Sequence, residues 1–254
     1  MRIHEVILPE EQGKSAITVV EKRLAARDRD EPEAAARLRD EATLLRALGG
    51  RMTPRLVASG EDQHGPWLQM ERLAFPTLAQ RLESAGQPLE RSWVARATHA
   101  AYRALAELHE AADEAGPLRI VHADLSPSNL AVDDEATRAV VLDLELASWR
   151  GGRPRDGAFR GTVGYCAPEI ARGEAPTVAS DLFALAATLL HAALGVVPRD
   201  GPSLAAALAF AAERPLLEEP HVAGFPLPPA LARCLAHDPA GRPASARAVL
   251  ALLP

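Results

Sequence analysis

His122-Ala-Asp-Leu-Ser-Pro-Ser-Asn129, followed by the run Arg138-Ala-Val-Val-Leu-Asp143, decides how this 254-residue chain is read. The spacing sets a carboxylate and an amide in one short loop. It then allows a hairpin that returns a second carboxylate, Asp143, next to Asn129. Phosphoryl transfer asks little more of a protein: a carboxylate to accept the hydroxyl proton, and oxygen ligands to hold Mg2+ on the phosphates. Asp124 suits the first role, and Asn129 and Asp143 suit the second. The plain alternative is a capped turn whose Asp and Asn satisfy only local backbone, because short patterns recur by chance.

Composition narrows the class. Apolar residues make up 48% of the chain and aromatics 4%, so Leu, Ala and Val must fill the core. The net charge of -6 and the lack of a basic block speak against nucleic acid or an anionic membrane as partner. Two cysteines, Cys166 and Cys234, lack the spacing of a metal site or a disulfide framework and are expected to be reduced thiols. The start, Met-Arg-Ile-His-Glu, has no apolar leader. The apolar run Leu182 to Val197 contains His191 and is short for a membrane span. A soluble, cytoplasmic protein is expected. Among the 28 Lys+Arg residues only Lys14 and Lys22 are lysines, which raises the interest of each.

Periodicity predicts strands over 2–8 and 16–24 joined by a loop at Pro9–Gly13, then a helix over 33–48 closed by Gly49-Gly50. Short strands follow near 55–59 and 66–70. After Arg72 the pattern turns helical: 77–85, 91–112, 178–194, 203–213, 228–236 and 244–252, with one strand over 138–143. The expected fold class is α+β: a small β-rich part over 1–73 and a larger helical part over 74–254, with a hinge near Glu71–Ala74. Alternation puts Thr18, Val20 and Lys22 on one strand face.

Further stretches resemble protein kinases in the right order. Gly161-Thr-Val-Gly-Tyr-Cys-Ala-Pro-Glu169 is similar to the end of an activation segment, with Ala167-Pro168-Glu169 as its closing element. Ser180-Asp181 opens the apolar helix as in that family, which implies that Asp181 accepts N–H groups of the 122–124 loop. Asp238-Pro-Ala-Gly-Arg-Pro243 resembles the late motif whose Arg pairs with the Glu, implying an Arg242–Glu169 pair. Lys22 and Glu41 resemble the phosphate-binding lysine and its helix partner. The resemblance implies a two-lobed protein kinase-like fold with an N-lobe over 1–73 and a C-lobe over 74–254. It also implies ATP and Mg2+ as cofactors and a protein or peptide as substrate. Asp124, Lys22 and Glu41 would be catalytic. Val6, Val20, Met70, Glu71, Leu73 and Ala131 would line the nucleotide with Lys22, and Asn129 and Asp143 would hold the metal. A closer resemblance is to the kinase domains of class III and IV lanthipeptide synthetases. It is carried by Val20-Glu-Lys-Arg, Ala36-Arg-Leu-Arg-Asp-Glu41, the 122–129 stretch and Leu142-Asp-Leu-Glu145.

The chain also departs from the family. Residues 1–12 contain no Gly where the resemblance implies a glycine-rich phosphate loop before Lys22, so either the true start lies upstream of Met1 or the lid over the phosphates is absent and the N-lobe is truncated. Ser126 stands where a Lys is usual, Glu145 where the Gly of D-F-G is usual, and Ala123 where an Arg would receive a loop phosphate. Between Asp143 and Gly161 the only hydroxyl is Ser148, among Arg150, Arg153, Arg155 and Arg160. Three readings compete: an Mg-ATP-dependent Ser/Thr protein or peptide kinase, a catalytically silent pseudokinase acting as a binding scaffold, and a small-molecule kinase of the aminoglycoside phosphotransferase type. Ala167-Pro-Glu169, Asp181 and Arg242 weigh against the third, because they build a protein-kinase substrate platform.

Overall fold

The structure is a computed structural model that describes residues 1–8, 17–29, 31–153 and 159–254. It divides into two compact units, Met1–Ala74 with Leu142–Glu145, and Phe75–Val141 with Leu146–Pro254. The composition is α+β, with a sheet in the N-terminal part and helices in the C-terminal part. The expected loop at Pro9–Gly13, Lys14, and the loop residue Arg155 lie outside the described residues.

The first unit is a four-stranded antiparallel sheet in the order β1-β2-β4-β3, built from β1 (Arg2–Leu8), β2 (Ile17–Arg23), β3 (Leu56–Asp62) and β4 (Gly65–Glu71). Helix α1 (Pro32–Leu48) packs on β3 and β4. Pro32 starts the helix where its missing N–H costs nothing. Leu38, Leu44, Leu45 and Leu48 recur at helical spacing, and all are buried, as is Leu68 of β4.

The second unit is helical: α2 (Leu78–Ala85), α3 (Arg91–His109), α4 (Pro168–Ala171), α5 (Val178–Leu194), α6 (Leu204–Glu213), α7 (Pro229–Cys234) and α8 (Ala246–Leu250). Helix α5 is buried nearly all round, as its largely apolar sequence requires. A Thr177/Ser180 capping box starts it, and Gly195, at φ 74°, ends it where a Cβ would strike Pro88. Helix α3 packs against α5 and α8 and stops at His109, earlier than its apolar stripe predicts. The reason is local. The chain turns into a tiny hairpin, β5 (Ala112–Asp113) with β6 (Gly116–Pro117), in which the Asp113 carboxylate accepts the Ala115 N–H at 2.9 Å. A second hairpin pairs β7 (Leu130–Val132) with β8 (Ala139–Val141), so the strand expected over 138–143 is shorter and has a partner that periodicity did not reveal. No helix among the described residues is long and apolar enough to cross a membrane.

Cys166 and Cys234 are free and buried, and burial pushes both thiols up to about 11. Alkylation by iodoacetamide at about pH 8 should therefore be slow for both until denaturant is added, because the thiolate is the reacting species. Fast modification of either thiol in the native chain, read by mass spectrometry, would contradict this packing.

Candidate active site

The loop 122–129 is held from below by Asp181, in the first turn of α5 and 1% exposed. Its Oδ2 accepts the His122 N–H at 2.7 Å and its Oδ1 accepts the Ala123 N–H at 2.9 Å. His109 Nε2 lies 2.9 Å from Oδ2. Burying a carboxylate is costly unless its oxygens are hydrogen-bonded in this way. These bonds hold Ala123 at φ 67°, a conformation costly for a residue with a Cβ.

The next residue, Asp124, is gripped at both oxygens. Thr162 donates its N–H at 2.9 Å and its hydroxyl at 3.0 Å to Oδ1. Asn129 donates its Nδ2 to Asp124 Oδ2 at 3.1 Å and to the Asp124 carbonyl at 2.8 Å. Both amide hydrogens of Asn129 are thus engaged. Gly161, at φ 130°, lets the segment come this close: a Cβ there would sit 3.3 Å from Asp124 Oδ1. Beside this constellation lies a cleft of about 350 Å³ lined in part by Leu82, Glu83, Ser126, Ser128, Tyr165 and His191. Ala131 is buried in β7.

The other cluster belongs to the first unit. Lys22 on β2 is 1% exposed, and its Nζ lies 2.8 Å from Glu41 Oε2 on α1 and 2.8 Å from Asp143 Oδ1. Glu145 Oε2 is a third carboxylate oxygen, at 3.4 Å. Burial works against the ammonium, but Glu41, Asp143 and Glu145 outweigh it and hold the Lys22 pKa above the usual lysine value. The Leu144 N–H donates to Glu41 Oε1 at 3.2 Å, so α1 grips the 142–145 segment as well as the lysine. Asp143 is left-handed, at φ 58°.

Strand register locates the remaining residues. Val20 stands opposite Met70, and Lys22 opposite Leu68, so Val20, Lys22 and Met70 share a sheet face. Val6 is a correction. It was expected to line the nucleotide with Val20 and Lys22, but it pairs with Val19, and its side chain leaves from the other face. The β1 residues on the Lys22 face are Ile3, Glu5 and Ile7, because one residue of register exchanges the faces. Glu71 is tied to Arg55, which accepts its N–H at 2.9 Å and donates its own N–H to the Glu71 carboxylate at 3.1 Å. Leu73 follows, half-buried.

Two deeper anchors complete the second unit. The Arg242 guanidinium donates to both oxygens of Glu169, at 2.6 and 2.9 Å, in a buried fork. Arg150, one of the four arginines between Asp143 and Gly161, pairs with Asp113 and donates to the Pro117 carbonyl at 3.0 Å.

A protein kinase domain model matches residues 5–249. The chain belongs to the protein kinase family. The tyrosine-protein kinase MasK of Myxococcus xanthus is 34% identical over 188 residues, covering 71% of this chain and 29% of the relative. The serine/threonine-protein kinase AfsK of Streptomyces griseus is 31% identical over 219 residues, covering 83% and 25%. The serine/threonine-protein kinase pkn3 of Myxococcus xanthus is 30% identical over 237 residues, covering 86% and 41%. This kinase chain therefore spans between about a quarter and two fifths of the length of these curated relatives. Sequence reasoning did not anticipate Thr162 on Asp124, or the contact of Glu145 with Lys22. The signal for the first lay in Gly161-Thr162. The signal for the second was the acid standing where Gly is usual.

Proposed function

We propose that this kinase-family chain is an Mg-ATP-dependent phosphotransferase that acts on Ser or Thr of a protein or peptide. The observation that carries the reading is the buried Lys22–Glu41 pair with Asp143 on the same ammonium. A charged lysine is costly to bury and is kept where anions must be met. In the first unit, Lys22 is assigned to the phosphates, Glu41 to orienting it, Asp143 to Mg2+, and Val20, Met70, Glu71 and Leu73 to the nucleotide. In the second unit, Asp124 is assigned as the base that takes the hydroxyl proton, Asn129 as a metal ligand, and Ala131 to the nucleotide. The donor set fits Mg2+, since it offers carboxylate and amide oxygen and no sulfur. When bound, the metal neutralises phosphate charge, while Thr162 and Asn129 keep Asp124 aimed. We read residues 1–73 and 74–254 as the two lobes of one kinase domain. The Asp143-Leu-Glu145 run and the Ser-Pro-Ser of the 122–129 loop favour a place near the lanthipeptide-synthetase kinase domains.

The competing reading is a catalytically silent scaffold, favoured by Ser126 and by the crowding of Lys22 by three carboxylates. One experiment separates the two. Phosphatase-treated chain is expected to melt higher with Mg-ATP than with either component alone. It is also expected to transfer phosphate to a Ser/Thr peptide mixture, and Ser148→Ala should do so equally well, because Ala123 offers no receptor for a loop phosphate. No shift and no transfer would leave the scaffold.

A further inference from the structure

Glu145 belongs to no role assigned above, yet its carboxylate joins two cations from different elements. Oε1 lies 3.2 Å from Arg37 Nε on α1, and Oε2 lies 3.4 Å from Lys22 Nζ on β2. Arg37 is one helical turn before Glu41, so both face the 142–145 segment from the same side of α1. The segment is thus fastened at two points on one helix: Glu145 to Arg37, and the Leu144 N–H to Glu41. The Glu145 N–H in turn donates to Asp143 Oδ1 at 3.2 Å, which stiffens the run that presents Asp143. The Glu145 side chain is 19% exposed, so its ion pairs are shielded from most of the screening that weakens surface pairs.

We propose that Glu145 is a positioning residue, a latch that fastens residues 142–145 to helix α1 and keeps the Lys22–Glu41 pair closed without an outside activator. Two of the three carboxylates on Lys22 come from this one segment, so its displacement would break both contacts together. Glutamate there also removes the backbone freedom that glycine would give, which disfavours a flip of Asp143. The kinase reading gives the latch its purpose. The latch itself is a property of one unit and is measurable without catalysis.

The chain's two lysines make the measurement direct. The 254-residue chain is pulsed with an amine-reactive acetyl ester, and acetylation of Lys22 is read by peptide mass spectrometry with Lys14 as internal reference. Glu145→Gln should raise the Lys22 rate about tenfold through more frequent local opening, and Arg37→Gln by a similar factor. The double variant should add little to either single change, because both remove one device. Amide exchange over 32–48, measured below the melting temperature of each variant, distinguishes local opening from global unfolding. Unchanged Lys22 rates in both single variants, or fully additive rates, overturn the latch. Lost phosphotransfer with unchanged labelling also overturns it and leaves the kinase reading standing. Raised labelling in a chain that transfers no phosphate upholds the latch and counts against the kinase reading.

Discussion

Arg242→Ala should destabilise the helical unit by about 3–5 kcal/mol, the cost of leaving one member of a buried ion pair alone. Both oxygens of Glu169 are held by the guanidinium, whose side chain is fully buried against a carboxylate only 4% exposed. The same group donates to the carbonyls of Ala179 and Ala236, each at 2.9 Å, and lies 4.9 Å from the Phe183 ring centroid. It therefore ties together α4, the start of α5 and the turn after α7. Alanine would strand a carboxylate and several carbonyls in one place. Arg242→Lys should recover little, because an ammonium cannot make the two-pronged contact. Replacing both partners, as in Arg242→Met with Glu169→Leu, should restore much of the loss, since no buried charge is then left alone. Urea unfolding checks this. An unchanged midpoint for Arg242→Ala would show that the pair contributes nothing, and the family likeness at 238–243 would lose its physical meaning.

Asp124→Asn should lower the phosphotransfer rate by about 10²–10⁴-fold with little change in KM for ATP, the range expected for loss of a general base. The substitution keeps the size of the side chain, the two Thr162 bonds to Oδ1 and the Asn129 bond to the backbone carbonyl, and gives up the Asn129 bond to Oδ2, while an amide cannot take the proton. Stability should stay nearly the same, so a steady-state assay beside a melting curve separates chemistry from folding. Asp143→Asn should reduce turnover through the metal, visible as a raised Mg2+ requirement. Lys22→Ala is a poorer probe than the family role suggests. The ammonium holds Glu41, Asp143 and Glu145, and removing it would leave the buried Glu41 carboxylate without its ion pair as well as losing the phosphate contact. Full activity in Asp124→Asn would remove the residue from the mechanism.

Where sequence and structure diverge, length and register explain it. Helices α1 and α5 lie where the sequence places them, α1 because its stripe is carried over several turns and α5 because its apolar run is too long for a strand. Strands β7 and β8 have three residues each, all buried, so they display no alternation. One of them passed unnoticed, and the other was drawn too long. Val6 shows the same weakness in another form. Alternation within β1 separates its two faces, but only pairing with β2 decides which of them carries Lys22.

The order of the motifs from His122 to Pro243, with Lys22 and Glu41 before them, was set by the sequence alone, and with it the family and the α+β class. Their chemistry is written in residue type: oxygen donors, one of only two lysines, and an arginine able to fork. Tertiary structure decided what those groups touch. Thr162 reached Asp124 because Gly161 allows a close approach, Arg150 turned to its own Asp113, and Glu145 became the bridge between Arg37 and Lys22. A spacing along the chain bounds what can meet, but hydrogen bonds and ion pairs act over about 3 Å, and only the packing of helices and strands sets distances that fine.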